Sequence, residues 1–152
     1  MNKIDPNVYE EVNLDDSDYN CSVDFEHMRM IRPWGYYEVL ASGPGYLVKR
    51  ITVDPGKRTS LQWHAERDET WVQVSQIHPE YCPFLIGGYL WNSQFLEVPQ
   101  GEYHRISNVG TEPLVIIEVQ TSEQADGCRE DDIHRIEDDY GREVDEEWET
   151  CK

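Results

Sequence analysis

Residues 56–71 read GKRTSLQWHAERDETW, and residues 99–108 read PQGEYHRISN. In the first stretch Gln62, His64 and Glu66 alternate, so on a strand their side chains share one face, and Glu69 follows just beyond. In the second, His104 stands behind a Pro99-x-Gly101 turn, a device that reverses the chain and brings one strand alongside another. Gln62, His64, Glu69 and His104 together offer two imidazole nitrogens and two oxygens. That is a borderline donor set, suited to zinc, iron, manganese, cobalt or nickel. One inward histidine is ordinarily a hydrogen-bonded core residue; four donors with their turn residues point instead to a metal centre. A closed sheet turns every second side chain inward, so two strands facing each other across the bore can surround one ion without any helix.

The spacing is more specific than donor chemistry requires. Gly56, five residues, Gln62-x-His64, four residues, Glu69, and then Pro99-x-Gly101, two residues, His104, three residues, Asn108 resembles the paired motifs of the cupin superfamily. Cupins usually carry His where Gln62 stands, and the exchange resembles the phosphomannose isomerases, whose metal is held by Gln, His, Glu and His. Further blocks extend the likeness: Arg32-Pro33-Trp34-Gly35, the run VKRITVDPG at 48–56, Glu130-Asp131-Asp132-Ile133, and Asp139-Tyr140-Gly141-Arg142. Over about residues 32–143 these are similar to the type II phosphomannose isomerase domain, of the kind fused behind a mannose-1-phosphate guanylyltransferase. The resemblance implies a small double-stranded β-helix, or jelly roll. It also implies one divalent ion, zinc foremost, and a sugar-phosphate substrate, with mannose 6-phosphate and fructose 6-phosphate interconverted through an enediol. Glu66, Thr70 and Gln76 depart from the pattern, standing where the family tends to have His, His and Gly. These departures bear on activity rather than fold, and they keep two other classes open: another metal cupin (sugar-nucleotide epimerase-like, lyase or dioxygenase) and a non-catalytic sugar- or metal-binding cupin.

Composition bounds these readings. A chain of 152 residues is one domain's worth of core. Its net charge of -18 is concentrated at the ends: residues 1–31 hold eight acids against two bases, and residues 121–152 hold thirteen against four. Residues 49–108 are near neutral, with six bases and seven acids. Such a balance disfavours phosphate-neutralising nucleic-acid binding and attraction to an anionic membrane. The longest apolar run, residues 84–91, is eight residues with two glycines, too short to span a bilayer. The first thirty residues lack the basic start and apolar stretch of a secretory signal, and the four cysteines are widely spaced. Reduced thiols in a cytoplasmic protein are expected.

Taken in order, residues 1–31 read as an acidic arm, solvated or packed through Val8, Tyr9, Val12 and Phe25 onto a second subunit of a homodimer. Strands are expected at 36–40, 46–53, 60–64, 70–75, 84–91, 94–98, 103–108 and 114–121, separated by turn clusters such as Ser42-Gly43-Pro44-Gly45. The fold class is all-β, with one short C-terminal helix over 131–140, where Ile133, Ile136 and Tyr140 follow a helical period. Residues 144–152 read as an acidic tail.

Roles follow from reach and charge. Glu66, by strand parity, and Lys49 are candidate proton-transfer groups, with Glu66 also readable as a substitute ligand or as a solvent-directed carboxylate on a strand that has already turned; Lys49 and Arg50 point to opposite faces, so only one looks inward. Arg67, Arg105 and Arg135 are candidates for a substrate phosphate, since guanidinium forks match phosphate oxygens. Lys57 and Arg58, on a glycine-containing turn, read as surface charges pairing with the acidic tail. Trp63, Trp71 and Trp91 read as core or rim packing, and His27, His78 and His134 as surface residues.

Overall fold

The computed structural model describes residues 22–24, 29–75, 80–124 and 127–145. The early strands are β1 (Ser22–Asp24), β2 (Arg29–Arg32), β3 (Gly35–Gly43), β4 (Tyr46–Val53), β5 (Leu61–Trp63) and β6 (Asp68–Gln73). They are followed by β7 (Phe84–Ile86), β8 (Tyr89–Trp91), β9 (Phe95–Val98), β10 (His104–Ile106), β11 (Leu114–Thr121) and β12 (His134–Glu137). Two antiparallel sheets face each other, one ordered β1-β2-β3-β4-β11-β6-β9 and the other β12-β5-β10-β7-β8. This is the cupin double-stranded β-helix. Among the described residues, no helix is long and apolar enough to cross a membrane.

Two expectations change. Residues 131–140 hold no helix; β12 runs antiparallel to β5, His134 opposite Trp63, with a register shift between Arg135 and Glu137. The open side of β5 needs a backbone partner, and β12 supplies it. Ile133 still reaches the bore and Tyr140 still packs on the core, so a bulged strand and turn satisfy the spacing that suggested a helix. The apolar run 84–91 is two strands, because Gly87-Gly88 turns the chain and sets Ile86 opposite Tyr89. The expected arm falls mainly outside the described residues, although β1 within it pairs with β2.

The bore is graded, and β4, β6 and β11 set the grading. On β11 the buried positions are Leu114, Ile116, Glu118 and Gln120. Antiparallel register puts Val53, Ile51 and Lys49 of β4 opposite the first three, and Trp71 and Glu69 of β6 opposite Glu118 and Gln120. One end of the bore is therefore apolar, continuous with Trp34, Phe84, Leu96, Val98 and Ile106, and the other end is polar. Gly35 lets β3 lie this close to β4: a Cβ there would stand 2.1 Å from the Thr52 carbonyl oxygen.

Candidate metal centre

Two local devices bring the quoted stretches together. The Pro99–Gly101 turn closes with the Glu102 amide donating to the Pro99 carbonyl (3.1 Å), and the Gly101 amide donates to the His64 carbonyl (2.8 Å). Gly101 has φ 82°, a left-handed conformation that suits glycine. The chain then enters β10 with His104 opposite Gln62 of β5. Glu69 arrives from β6 in the other sheet, so the donors converge across the bore. One ligating atom each from His64, Glu69 and His104 lie within 4.8 Å of one another, and all three residues are buried.

Both imidazoles are fixed from behind. His64 Nδ1 lies 2.5 Å from the Asp132 carbonyl oxygen and His104 Nδ1 lies 3.0 Å from that of Glu102. Carbonyl oxygens only accept, so each Nδ1 carries its proton and each Nε2 presents a lone pair to the bore. Burial lowers the His104 pKa to about 4, partly opposed by the Glu69 charge, so its imidazole is neutral at pH 7. Glu69 is pushed up by burial, yet it stays well below the usual carboxylate range, and with both imidazoles neutral the standing positive charge beside it is the Arg67 guanidinium.

The donor set fits a cation on a geometric ground. Glu69 Oε1 lies 3.1 Å from His64 Nε2, and Glu69 Oε2 lies 3.7 Å from His104 Nε2. Acceptor faces acceptor, an arrangement that needs positive charge beside it. Arg67 supplies some: its Nε donates to Glu69 Oε1 (3.2 Å), and its terminal nitrogen lies 3.2 Å from His64 Nε2. Trp71 Nε1 donates to Glu69 Oε2 (3.0 Å). Gln62 completes the ring, its amide nitrogen 3.5 Å from His104 Nε2 and its Oε1 accepting from Ser60 Oγ at 2.6 Å. Turning that amide by half a revolution presents Oε1 to the same space, and Ser60 Oγ can accept from the nitrogen instead.

A cavity of about 80 Å³ opens beside these donors, lined among others by Lys49, Gln62, Glu69, His104, Glu118 and Arg135. Its second pole is a buried charge group. Lys49 pairs with Glu130, lies 3.9 Å from Glu118 Oε2, and stands over the Tyr37 ring at 4.6 Å. Gln120 Nε2 donates to Glu118 (2.8 Å) and to Glu69 (3.4 Å), linking the two poles. Burial and the nearby Glu69 charge push the Glu118 pKa up to about 8 against the pull of Lys49. Burial acts on Glu130 too, but Lys49, Arg67 and the hydrogen bonds from Lys49 and Tyr37 leave it lowered.

Residues 129–132 cross the mouth as a strap. Arg67 donates to the Arg129 carbonyl, Tyr37 Oη donates to Glu130 (3.2 Å), and the Asp132 carboxylate accepts from the amides of Ala65 (2.8 Å) and Glu66 (3.1 Å).

Gln62, His64, Glu69, His104, Lys49, Arg67 and Arg135 thus come together. Glu66 and Arg105 do not. β5 ends at Trp63, and the bend at Ala65 and Glu66 breaks the strand parity that aimed Glu66 inward; its carboxylate lies 3.8 Å from Arg129 and is about a third exposed. Arg105 alternates with His104 on β10 and reaches Glu137 instead (3.1 Å). Arg50 points outward to Glu38 (2.6 and 2.8 Å), and Arg58 makes the expected surface pair with Asp139 (2.6 Å). Thr70 sits between inward Glu69 and Trp71, so that departure faces away from the bore; Gln76, His27 and His78 lie outside the described residues. Trp71 is core and Trp63 stacks on His134 at 4.2 Å, but Trp91 is 46% exposed. Sequence reading missed Glu118, Gln120 and Asp132. For the first two the signal was available: they share the parity of Leu114 and Ile116 on an otherwise apolar strand face.

Comparison with known proteins agrees with this geometry. Residues 20–138 match the family described as "Mannose-6-phosphate isomerase C-terminal". The chain is 43% identical over 119 residues to the alginate biosynthesis protein AlgA of Pseudomonas aeruginosa, a match covering 76% of this chain and 23% of that protein. It is 39% identical over 119 residues to the mannose-1-phosphate guanylyltransferase ManC of Salmonella typhimurium, with the same 76% and 23% coverage. The chain therefore spans about a quarter of the length of these relatives. Among solved structures, KdgF from Halomonas sp. superimposes with TM-score 0.54 at 15% identity, over 68% of this chain and 94% of that one. The capsular polysaccharide assembling protein CapF of Staphylococcus aureus superimposes with TM-score 0.55 at 17% identity, over 72% and 34%. At such identities the likeness is one of fold.

Proposed function

We propose that this chain, which belongs to the mannose-6-phosphate isomerase C-terminal family, is a metal-dependent aldose–ketose isomerase interconverting mannose 6-phosphate and fructose 6-phosphate. The observation that carries the proposal is the convergence of acceptor atoms from His64, Glu69 and His104 in one buried cluster beside a proton-handling group. Gln62, His64, Glu69 and His104 would hold the ion, zinc foremost by its preference for nitrogen and oxygen donors, with manganese, iron, cobalt or nickel also accommodated. A divalent cation held there supplies positive charge beside the substrate's carbonyl oxygen, where negative charge develops as the enediol forms.

The chain's own groups supply the rest. Isomerisation takes a proton from the carbon next to the carbonyl and returns it to the neighbouring carbon. Glu118 is suited to carrying that proton, because its burial raises the carboxyl above the ordinary carboxylate range and makes it a stronger base. Lys49, clamped between Glu118 and Glu130, would stand against the sugar oxygens. Arg67 and Arg135 line the same cavity, as do Arg32 and Arg142, and we take the first two as the groups that would meet the phosphate. Hydrogen bonds tie the strap across the cavity, a form of closure that can open and re-form around a substrate.

The test is a coupled assay following fructose 6-phosphate from mannose 6-phosphate, with each divalent metal added and then chelated. Turnover that appears with metal and disappears on chelation supports the reading. Absence of turnover with every ion overturns it.

A further inference from the structure

Away from the metal centre, the β7–β8 hairpin stands out by its chemistry. In a chain of net charge -18, residues 81–96 carry no acid, lysine, arginine or histidine. Within that stretch Tyr89, Leu90, Trp91 and Phe95 are 72%, 66%, 46% and 55% exposed. All three residues of β8 face solvent, and β8 is the outermost strand of its sheet, so one side of its backbone has no strand partner among the described residues. Beside it runs a groove lined by Ile86, Tyr89, Trp91, Phe95, Leu96 and Pro99.

Open edges are ordinarily protected by charge. Among the described residues, the outer strands β9 and β12 follow that rule, with exposed Glu97 and Glu137 respectively. β8 carries no charge at all. A partner of opposite charge would be drawn to the acidic termini, not to this strand. A second copy of the chain brings the same large negative charge, so it can approach closely only where both surfaces are uncharged. This hairpin is such a surface, and by symmetry each copy offers the other a matching one.

We propose that the β8 edge is a homodimer interface, in which two β8 strands pair antiparallel about a two-fold axis and the five-stranded sheets join into one. With three residues per strand, the two-fold relation sets Leu90 opposite Leu90 and Tyr89 opposite Trp91. The surface differs from the N-terminal arm expected to dimerise from sequence, because β1 and β9 lie at opposite ends of the seven-stranded sheet and the groove borders β9. Glu97 and Glu102 also line the groove, so screening their repulsion with salt strengthens the pairing.

Sedimentation equilibrium of the full chain tests this directly. The expected result is twice the 17.9 kDa chain mass, with tighter association at higher salt. Leu90→Asp sets a charge against its own copy and Tyr89→Glu buries one against Trp91 of the second copy, and both should give monomers with unchanged circular dichroism. The two side chains are mostly exposed, so either variant suffices if the other folds poorly. A monomeric wild type at about 100 μM, where even a ~1 μM dissociation constant would leave the chain mostly dimeric, overturns the proposal. So does a wild-type dimer that both variants leave intact, since the interface then lies elsewhere.

Discussion

Asp132 holds His64 twice over: its backbone carbonyl takes the imidazole Nδ1 at 2.5 Å, and its carboxylate caps the amides of Ala65 and Glu66, which continue the chain from that histidine. The residue lies on the strap, 68 positions away in sequence, and is 5% exposed. Removing the carboxylate frees the bend on which the His64 ring is mounted. Outer partners of this kind are worth about 10–100-fold in metal affinity, so Asp132→Ala should weaken metal binding by that factor, read by competition titration with a chromogenic chelator.

His104 is a ligand in this reading and also packs edge-on against Trp71 at 5.3 Å. His104→Ala should reduce bound metal from one ion per chain to none under dialysis, with isomerase turnover lost. Retained strand circular dichroism separates ligand loss from unfolding. Full metal content in this variant would remove His104 from the centre.

Glu118 links folding to pH. Its folded pKa, about 8, lies above the ordinary carboxylate value, so the folded state binds the proton more tightly than the unfolded chain does. The stability this confers is fully present below about pH 4.5 and is lost as pH rises through about 8. Glu118→Gln stays neutral throughout, so its melting temperature should match wild type near pH 4 and exceed it progressively up to about pH 8 to 9. As the proton carrier, the same variant should lose turnover by about 10²–10⁴-fold.

Asn108 closes the second motif but ligates nothing. It is 1% exposed; its Nδ2 donates to the carbonyls of Val53 and Glu112, both at 2.8 Å, and its Oδ1 accepts from the Gly110 amide at 3.0 Å. Asn108→Ala leaves those buried groups without partners, at a cost of about 1–3 kcal/mol. Urea denaturation should show that loss while metal stoichiometry stays unchanged.

Much of this architecture could be read from the chain. β4 and β11 begin and end where the turn residues and β-branched runs place them, because an alternating apolar face leaves a strand little choice of register. Gln62, His64, Glu69 and His104 were legible as a group because a turn with its own signature, Pro99–Gly101, joins strands whose donors sit at fixed positions. Parity failed at Glu66 because the strand ends at Trp63, and a strand end shorter than a turn of pattern leaves no mark in the sequence. The period of Ile133, Ile136 and Tyr140 misled for a different reason: the need of β5 for a neighbour is a tertiary demand, invisible locally. Asp132 was hidden in the same way, since an aspartate in an acidic run looks like solvated charge until the strap is seen to cross the bore.

The graded bore ties inheritance of the architecture to inheritance of the chemistry. Leu114 and Ile116 share their face of β11 with Glu118 and Gln120, as Val53 and Ile51 share theirs on β4 with Lys49. Deleting a single residue within either strand would turn the downstream side chains to the opposite face. Such a lesion would uncover apolar packing or expel the polar groups, and often do both. Any lineage that keeps these two strands in frame to stay folded therefore also keeps positions 49, 118 and 120 facing the polar end of the bore.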